Sequence, residues 1–264
     1  MFFPSSLKQA RNDFLDNKLP EDLLLPNGKK VHYVNKFKYL GSIITPLLNE
    51  DAEIEARIKK AKSIMGASKY FFDNKDVCKK IKSQIYVAGP LNALIWGCES
   101  WNLTKHNMNK LMAFHHSAIR RILGIKWNQV REKHIKNKEV RGILCNIPNI
   151  DAFIAKRTAV YLGKVSPSNN TYPQKFLTAW ITGKRKNGAP QLTCNNNFVN
   201  SIKKILPPGK ILSNKQALLR EWIPLAKDEN NWLTYIDAYF ESCRSMDHED
   251  PNNDTPGDYD HEPT

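Results

Sequence analysis

Hydrophobic residues recur at spacings of three and four over most of the chain beyond residue 50, and this period restricts the fold more than any other feature of the sequence. It is clearest between residues 51 and 72, where one face carries Ile54, Ile58, Ala61, Met65, Ser68 and Phe72. Such a period is that of an amphipathic α-helix. Asn49, Glu50 and Asp51 can cap the start of this helix and favour the positive end of its dipole. The sequence therefore predicts a helix over about 51–72.

Proline, threonine and glycine divide the rest of the helical sequence. Gly89-Pro90 interrupts a second helix over about 76–100, because proline lacks the N–H that a helix interior needs. Thr104 can cap a third helix, and Gly124 can end it. Further helices are predicted at about 128–145, 150–164, 173–182, 195–206, 214–227 and 229–243.

Residues 1–48 have a pattern that favours extended structure. Pro26-Asn27-Gly28 is a strong turn signal, and β-branched and aromatic residues alternate in part between Val31 and Ile44. From Met246 onward the chain is acidic and poor in hydrophobic residues, which predicts disorder. The predicted fold is mostly α, with a small N-terminal antiparallel β element, a helical bundle, further helices and a disordered acidic tail. The predicted domains are 1–48, 49–127, 128–245 and 246–264.

The charge of the chain is strongly positive and unevenly distributed. The 264 residues include 40 Lys and Arg against 26 Asp and Glu, and seven of the acidic residues lie in the tail after residue 245. A positive field of this strength favours a polyanionic partner, with nucleic acid first and an anionic membrane surface second. The alternative is a protein whose basic faces are simply solvated.

Several functional classes lack their sequence signals. No apolar run is long enough to cross a bilayer, no secretory signal is visible, and the five cysteines are too far apart for a zinc motif. We therefore expect an intracellular protein, nuclear or cytoplasmic and not secreted, with free thiols. Phosphate-binding loops and hydrolase motifs are absent, and no two aspartates are adjacent, so neither a cofactor nor a metal site is predicted.

Two groups of polar residues are better interpreted as structural. The carboxylates around Glu50-Asp51 crowd a predicted helix start, where the helix dipole favours negative charge. His115 lies on a predicted apolar helix face, where a histidine is more often a hydrogen-bonded core residue than an acid or base.

Basic residues next to aromatic residues are the stronger functional signal. Lysine and arginine side chains neutralise phosphates and release counterions, which makes binding dependent on salt. Three clusters qualify as candidates, and each could also be a solvated face. They are Lys59, Lys60, Lys62 and Lys69 on the first predicted helix, Arg120, Arg121 and Lys126 beside Trp127, and Lys184, Arg185 and Lys186 in a loop.

Seven blocks of the sequence, taken in order, resemble the region downstream of the polymerase active site in non-LTR (LINE-type) retrotransposon reverse transcriptases. The blocks cover most of the chain up to about residue 236. They are FKYLGS (37–42), DAEIEARIKKA (51–61), WGCESWNLT (96–104), LMAFHHSAIRRILGIKW (111–127), YLGKV (161–165), GKRKNGAP (183–190) and the pattern of Trp222, Ala226, Asp228 and Trp232. One departure is Lys164, which stands where the family has a histidine.

The resemblance implies a fold and a role for each part. Phe37, Tyr39, Leu40 and Gly41 look like the palm hairpin that grips the primer end. Residues 49–127 resemble the thumb, which lies along the template–primer duplex, and residues 128–245 resemble the C-terminal region that contacts nucleic acid. The expected function is therefore binding of RNA, DNA or both, mainly through phosphates.

The resemblance also implies what this chain lacks. The catalytic aspartates of the family lie in segments upstream of the matched region, so we expect no polymerase activity from this chain alone. Mg²⁺ would be bound only if a catalytic palm, for example on a separate reverse transcriptase subunit, completed the site. An alternative function stays open, in which the exposed palm edge docks onto a protein partner and the basic surface has no role in nucleic-acid binding.

Overall fold

A computed structural model describes residues 12, 16, 22–46, 49–165, 194–206 and 218–245 of the chain. Four short strands come first: β1 (Leu23–Leu24), β2 (Lys30–Val31), β3 (Phe37–Tyr39) and β4 (Ser42–Ile44). The helices are α1 (Asp51–Ala67), α2 (Lys69–Asp73), α3 (Lys79–Tyr86), α4 (Asn92–Leu94), α5 (Lys105–Leu123), α6 (Trp127–Glu132), α7 (Asn137–Ile143), α8 (Ile150–Val165), α9 (Cys194–Ile205), α10 (Leu218–Lys227) and α11 (Glu229–Arg244). The predicted fold, mostly α with a small N-terminal β element, is confirmed. The predicted helix 173–182 and the acidic tail lie outside the described residues.

The N-terminal β element consists of two hairpins, whereas a single small sheet was expected. Strands β1 and β2 form one antiparallel pair, and β3 and β4 form another. The first hairpin turns at Gly28, whose φ of 77° and N–H bond to the Leu25 carbonyl confirm the predicted turn. Strands of two or three residues offer too few backbone hydrogen bonds to be stable alone, and the second hairpin is supported by hydrogen bonds to α1.

The helix predicted over 51–72 divides at Ser68 into α1 and α2. Its predicted apolar face is buried, and the burial includes Ile54, Ala61, Met65 and Phe72. At Gly89-Pro90 the chain forms one π-helical turn, Val87–Leu91, between α3 and α4. A wide turn of this kind accommodates the missing N–H of the proline, so the predicted interruption is confirmed without a complete break in the helix.

Helix α5 begins and ends where its capping residues predict. The Thr104 hydroxyl accepts a hydrogen bond from the Asn107 N–H at 3.2 Å. Gly124 adopts a φ of 69°, and its N–H donates to the Arg121 carbonyl. The next helix, expected over 128–145, is instead divided into α6 and α7, with His134 at a φ of 49° between them. No helix in the described ranges is long and apolar enough to cross a membrane.

Two clusters of buried hydrophobic residues share helix α8. Ile150 and Ile154 belong to the cluster formed with the helices before α8, and Ala155, Ala159 and Leu162 belong to the cluster formed with α9, α10 and α11. The first cluster also includes Val140, Leu144 and Ile147, so it extends well beyond residue 127. The domain boundary expected near that residue stays a prediction.

The second cluster is closed by a tight contact between helices α8 and α11. The Trp232 indole N–H donates to the Ala159 carbonyl at 2.9 Å, and the Trp232 ring packs beside the Trp222 ring with centroids 6.2 Å apart. Gly163 lies directly under the Trp232 ring, and a Cβ at position 163 would be 2.6 Å from its nearest atom. Glycine is therefore required there by the close approach of the indole.

We expect Gly163→Ala to lower the free energy of unfolding by about 1–3 kcal/mol, because the added methyl group forces the Trp232 ring out of place. Gly66→Ala is the matched control, since a Cβ at position 66 of α1 meets no atom within 4 Å. That substitution should raise stability by about 0.5–1 kcal/mol through helix propensity. Urea unfolding measures both, and equal effects at the two sites would contradict the packing described here.

Candidate nucleic-acid interface

The β3–β4 hairpin is fixed to helix α1 by a buried ion pair. Glu53 is only 2% exposed, and its carboxylate accepts hydrogen bonds from the Ile43 N–H and from Arg57 Nε, both at 2.6 Å. Arg57 Nη2 in turn donates to the Gly41 carbonyl at 2.8 Å. Each charge thus has its partner and an additional backbone contact, which a buried ion pair needs to offset the loss of hydration.

This ion pair holds an otherwise unfavourable turn. Leu40 and Gly41 connect Tyr39 to Ser42, and both have positive φ values, 47° and 91°. A two-residue hairpin turn of this type suits glycine, but a leucine in the left-handed region is strained by roughly 1 kcal/mol. Contacts from Glu53 and Arg57 on either side of the turn can offset that strain.

The four residues expected to form a primer grip all lie in this hairpin and are exposed. The Leu40 side chain at the turn is 85% exposed. The rings of Phe37 and Tyr39 stack with centroids 6.4 Å apart, and both remain about half exposed. The hairpin therefore presents a small apolar and aromatic surface at a fixed position on α1.

The predicted basic residues of α1 follow Arg57 within five positions along the helix. Lys59, Lys60 and Lys62 are all exposed, and we call them the lysine face. Lys60 follows Arg57 by one helical turn, so it lies on the side of α1 that contacts the hairpin. Lys69 is also exposed but lies beyond the break at Ser68, on α2. Glu55, an exposed acidic residue of α1, pairs with Lys110 at 3.5 Å.

Arg120 differs from the surface residue that was expected. Its side chain is buried, its Nη1 donates to Asn137 Oδ1 at 3.1 Å, and its guanidinium lies 5.0 Å from the centre of the Trp127 ring. It therefore joins α5 to α6 and α7 and does not face solvent. Arg121 and Lys126 are exposed. Lys184, Arg185 and Lys186 lie outside the described residues.

More exposed basic residues follow in the same region. Arg131, Lys133 and Lys136 are exposed on α6 and on the segment after it, with Glu132 as the neighbouring acidic residue. Sequence reasoning did not include these three, although they lie within six consecutive positions shortly after Lys126. Together with Arg121 and Lys126 they form a second group of exposed basic residues, separate in the chain from the lysine face.

The carboxylates at the start of α1 have structural partners. Glu50 accepts from the Asn102 N–H at 3.2 Å, and Asp51 accepts from the Asn107 side-chain amide at 2.9 Å. Burial, with smaller effects from Glu53 and Asp51, raises the pKa of Glu50. These contacts join the start of α1 to the segment before α5. Within the described residues, no three His, Cys, Asp or Glu side chains gather where they could hold a metal ion.

His115 is a hydrogen-bonded core residue, as its sequence context predicted. Its Nδ1 accepts from the Tyr86 hydroxyl at 2.8 Å, and its Nε2 donates to the Pro148 carbonyl at 3.2 Å. Burial lowers the pKa of His115 to about 3. Its neighbour His116 is also buried, accepts from Arg141 Nη1 at 3.0 Å, and has a pKa well below its usual value, mainly because of burial.

Blocks of sequence that are far apart meet in the fold. Ser42 of the first block lies beside Gly97 of the third, where a Cβ on Gly97 would be 3.6 Å from the Ser42 hydroxyl. Gly163 of the fifth block meets Trp232 of the last. Sequence reasoning missed the contact of Glu53 and Arg57 with the hairpin, although their spacing of four residues was a signal for an ion pair along α1.

Comparison with known proteins gives one curated relative. Over 205 residues, which are 77% of this chain and 70% of the relative, the chain is 25% identical to an uncharacterized transposon-derived protein of Caenorhabditis elegans. No protein-family model matches the chain. No solved structure matches it either.

We expect Glu53→Ala to lower the free energy of unfolding by about 3 kcal/mol, because it leaves Arg57 without its buried partner and the Ile43 N–H without an acceptor. Glu55→Ala, on the exposed side of the same helix, should change stability by about 0.5 kcal/mol or less. Urea unfolding checks both values, and amide hydrogen exchange at Ile43 should become faster only in the first variant. Unchanged hydrogen exchange at Ile43 would refute the hydrogen bond between the Ile43 N–H and Glu53.

The buried histidines predict a loss of stability in mild acid. The folded protein keeps His115 and His116 neutral, whereas the unfolded chain protonates both below about pH 6.5. The unfolded state then binds more protons, so the free energy of unfolding falls as the pH falls. Between pH 7 and pH 5 the loss from His115 should be about 2 kcal/mol, and His116 should add to it in the same direction.

Chemical denaturation at several pH values measures this loss. His116→Gln keeps an acceptor for Arg141 but removes one titrating group, so its stability should depend less on pH than that of the unmodified protein. A stability that stays constant from pH 7 to pH 5 would contradict the neutral buried pair.

Proposed function

We propose that this chain is the nucleic-acid-gripping part of a LINE-type retrotransposon reverse transcriptase, and that it binds RNA or DNA mainly through phosphates. The observation that carries the proposal is the fixed position of the exposed β3–β4 hairpin on the helix that bears the lysine face. Glu53 and Arg57 fix that position through two backbone contacts with the hairpin. A rigid support for both surfaces allows them to contact one nucleic acid together.

The chemistry of the two surfaces suits different parts of a nucleic acid. The lysine face supplies cations that neutralise phosphates, which fixes a strand in place without reading its bases. The exposed Phe37 and Tyr39 rings and the Leu40 side chain provide an apolar contact for sugars or for an unstacked base. This combination fits the grip and thumb roles that the resemblance implies for these residues.

The comparison supports a transposon origin for the proposal. The name of the relative describes it as transposon-derived, and the similarity covers 77% of this chain. The order of the seven blocks and the contacts between distant blocks agree with one shared architecture. The comparison does not extend to reverse transcription. We propose reverse transcription only as the activity in which this chain would participate.

The described residues do not fit the Mg²⁺ site of a polymerase. The carboxylates nearest the hairpin, Glu50, Asp51 and Glu53, accept hydrogen bonds from backbone and amide groups and from Arg57. We therefore assign the metal and the catalytic aspartates to a catalytic palm outside the described residues. A catalytic reverse transcriptase subunit is accordingly a proposed partner.

A second candidate function follows from the exposed apolar residues of the hairpins. Leu23, Leu24 and Val31 in the first hairpin and Leu40 in the second are largely exposed. Exposed apolar strands of this kind favour docking onto a protein partner. Salt distinguishes the two functions, because phosphate contacts weaken as salt rises and an apolar interface changes little.

We expect the purified chain to bind nucleic acid with an affinity that falls steeply between 50 and 200 mM salt. The triple variant Lys59→Gln, Lys60→Gln, Lys62→Gln should weaken binding and reduce the salt slope by about 0.9 for each lysine that contacts a phosphate of a duplex. Fluorescence anisotropy with a labelled primer–template duplex measures both quantities.

The control carries the same change of charge at exposed lysines that belong to other helices, as Lys105→Gln, Lys203→Gln and Lys227→Gln. It should keep most of the salt slope. Equal losses in the two triple variants would refute a specific lysine face, and binding that does not depend on salt would favour the protein-docking alternative.

A further inference from the structure

Helix α8 has a side that faces away from Trp232 and lines a cavity. A cavity of about 370 Å³ lies between this side and the π-helical turn with α4. Its apolar lining consists of Val87, Leu91, Ile95, Phe153 and Val160. The volume is within the range of small-ligand pockets and is too small for a helix of a protein partner.

Cationic side chains of α8 also line this cavity, and two of them are held in place. Arg157 Nη1 donates to the Ile95 carbonyl at 2.9 Å, and its other terminal nitrogen donates to the Asn92 side chain. Lys156 pairs with Asp237 at 2.9 Å and lies 4.4 Å from the centre of the Phe240 ring. Contacts of this kind reduce the entropy lost when a ligand binds.

The third cation is Lys164, which is exposed at the C-terminal end of α8. It lies three residues after Tyr161, so the two side chains are neighbours on the same face of the helix. The Tyr161 ring is 38% exposed and lines the cavity as well. An accessible aromatic ring beside an accessible cation is the arrangement that binds a base and its phosphate.

One acidic residue refines the chemistry of the pocket. Glu99 lines it together with Asn92. A carboxylate can accept hydrogen bonds from an exocyclic amino group of a base, whereas it repels the head group of a fatty acid. The pocket thus combines an apolar floor, an aromatic wall, a hydrogen-bond acceptor and cations.

We infer that this pocket binds one unpaired nucleotide of a single-stranded nucleic acid, with the base against Tyr161 and the phosphate near Lys164. The inference rests on the proposed nucleic-acid function and adds to it a site that distinguishes single strands from duplexes. A paired base is stacked within its helix and cannot enter a pocket of this size without unpairing.

The test compares a single-stranded oligonucleotide that contains one 2-aminopurine with a duplex of the same length. We expect Tyr161→Ala to weaken single-strand binding by about 5- to 150-fold, which corresponds to the loss of one base–aromatic stack. Tyr161→Phe keeps the ring and should keep the affinity. Duplex binding should change less than about twofold in both variants, because a paired base does not use the pocket.

Lys164→Gln should reduce the single-strand salt slope by about 0.7, the value for one phosphate contact. Lys227→Gln, an exposed lysine away from the pocket, should leave the slope unchanged. In the unmodified protein, 2-aminopurine fluorescence should change on binding, and Tyr161→Ala should abolish this change. Thermal unfolding of each variant confirms that it is folded.

The outcomes separate the two proposals. If the unmodified protein binds nucleic acid and Tyr161→Ala binds single strands equally well, the pocket inference is overturned and the proposed function stands. Equal losses for duplex and single strand in Tyr161→Ala would also overturn the pocket. If the unmodified protein binds neither form, both proposals fail. Binding of the free mononucleotide with no binding of the oligonucleotide would assign the pocket to a small molecule and overturn the inference.

Discussion

The burial of Glu53 beside Arg57 determines where the β3–β4 hairpin lies on helix α1. A carboxylate that is 2% exposed is stable only when its lost hydration is replaced, and here a guanidinium and the Ile43 N–H replace it. Glu53 and Arg57 both belong to α1, so movement of the hairpin away from α1 would leave their pair intact but would break the hydrogen bonds to the Ile43 N–H and the Gly41 carbonyl. The strained Leu40 turn and the exposed aromatic rings consequently keep a fixed position relative to the lysine face.

In the C-terminal half, helix α8 connects the two hydrophobic clusters. It contributes Ile150 and Ile154 to one hydrophobic cluster and Ala159 and Leu162 to the other, so the two clusters cannot separate without disrupting the helix. Small side chains on one face let Trp232 approach closely and reach the Ala159 carbonyl. The opposite face keeps the larger polar and aromatic side chains, and these line the pocket. The same helix therefore contributes to both hydrophobic clusters and to the wall of the pocket.

The sequence predicted those features that depend on residues close together in the chain. Thr104 and Gly124 cap α5 through their own backbone neighbours, and the buried position of His115 follows from the helical period. Arg120 could not be placed in this way, because its burial depends on Asn137 and Trp127, which reach it only after α6 and α7 fold back. The division at His134 and the approach of the hairpin to Glu53 likewise depend on contacts between distant segments. Sequence periodicity contains no information about such contacts.

The acidic and basic side chains near the β3–β4 hairpin differ in their hydrogen-bond partners and in their exposure. A two-metal site needs several carboxylates whose oxygens remain available to the ions. Near the hairpin, the buried Glu53 accepts from the Ile43 N–H and from Arg57, and the half-buried Glu50 accepts from the Asn102 N–H. The lysines of α1 remain exposed, and an exposed lysine keeps its charge available to a phosphate. In the function proposed above, these exposed lysines would stabilise a bound strand by electrostatics, and the proposed catalytic palm would supply the carboxylates.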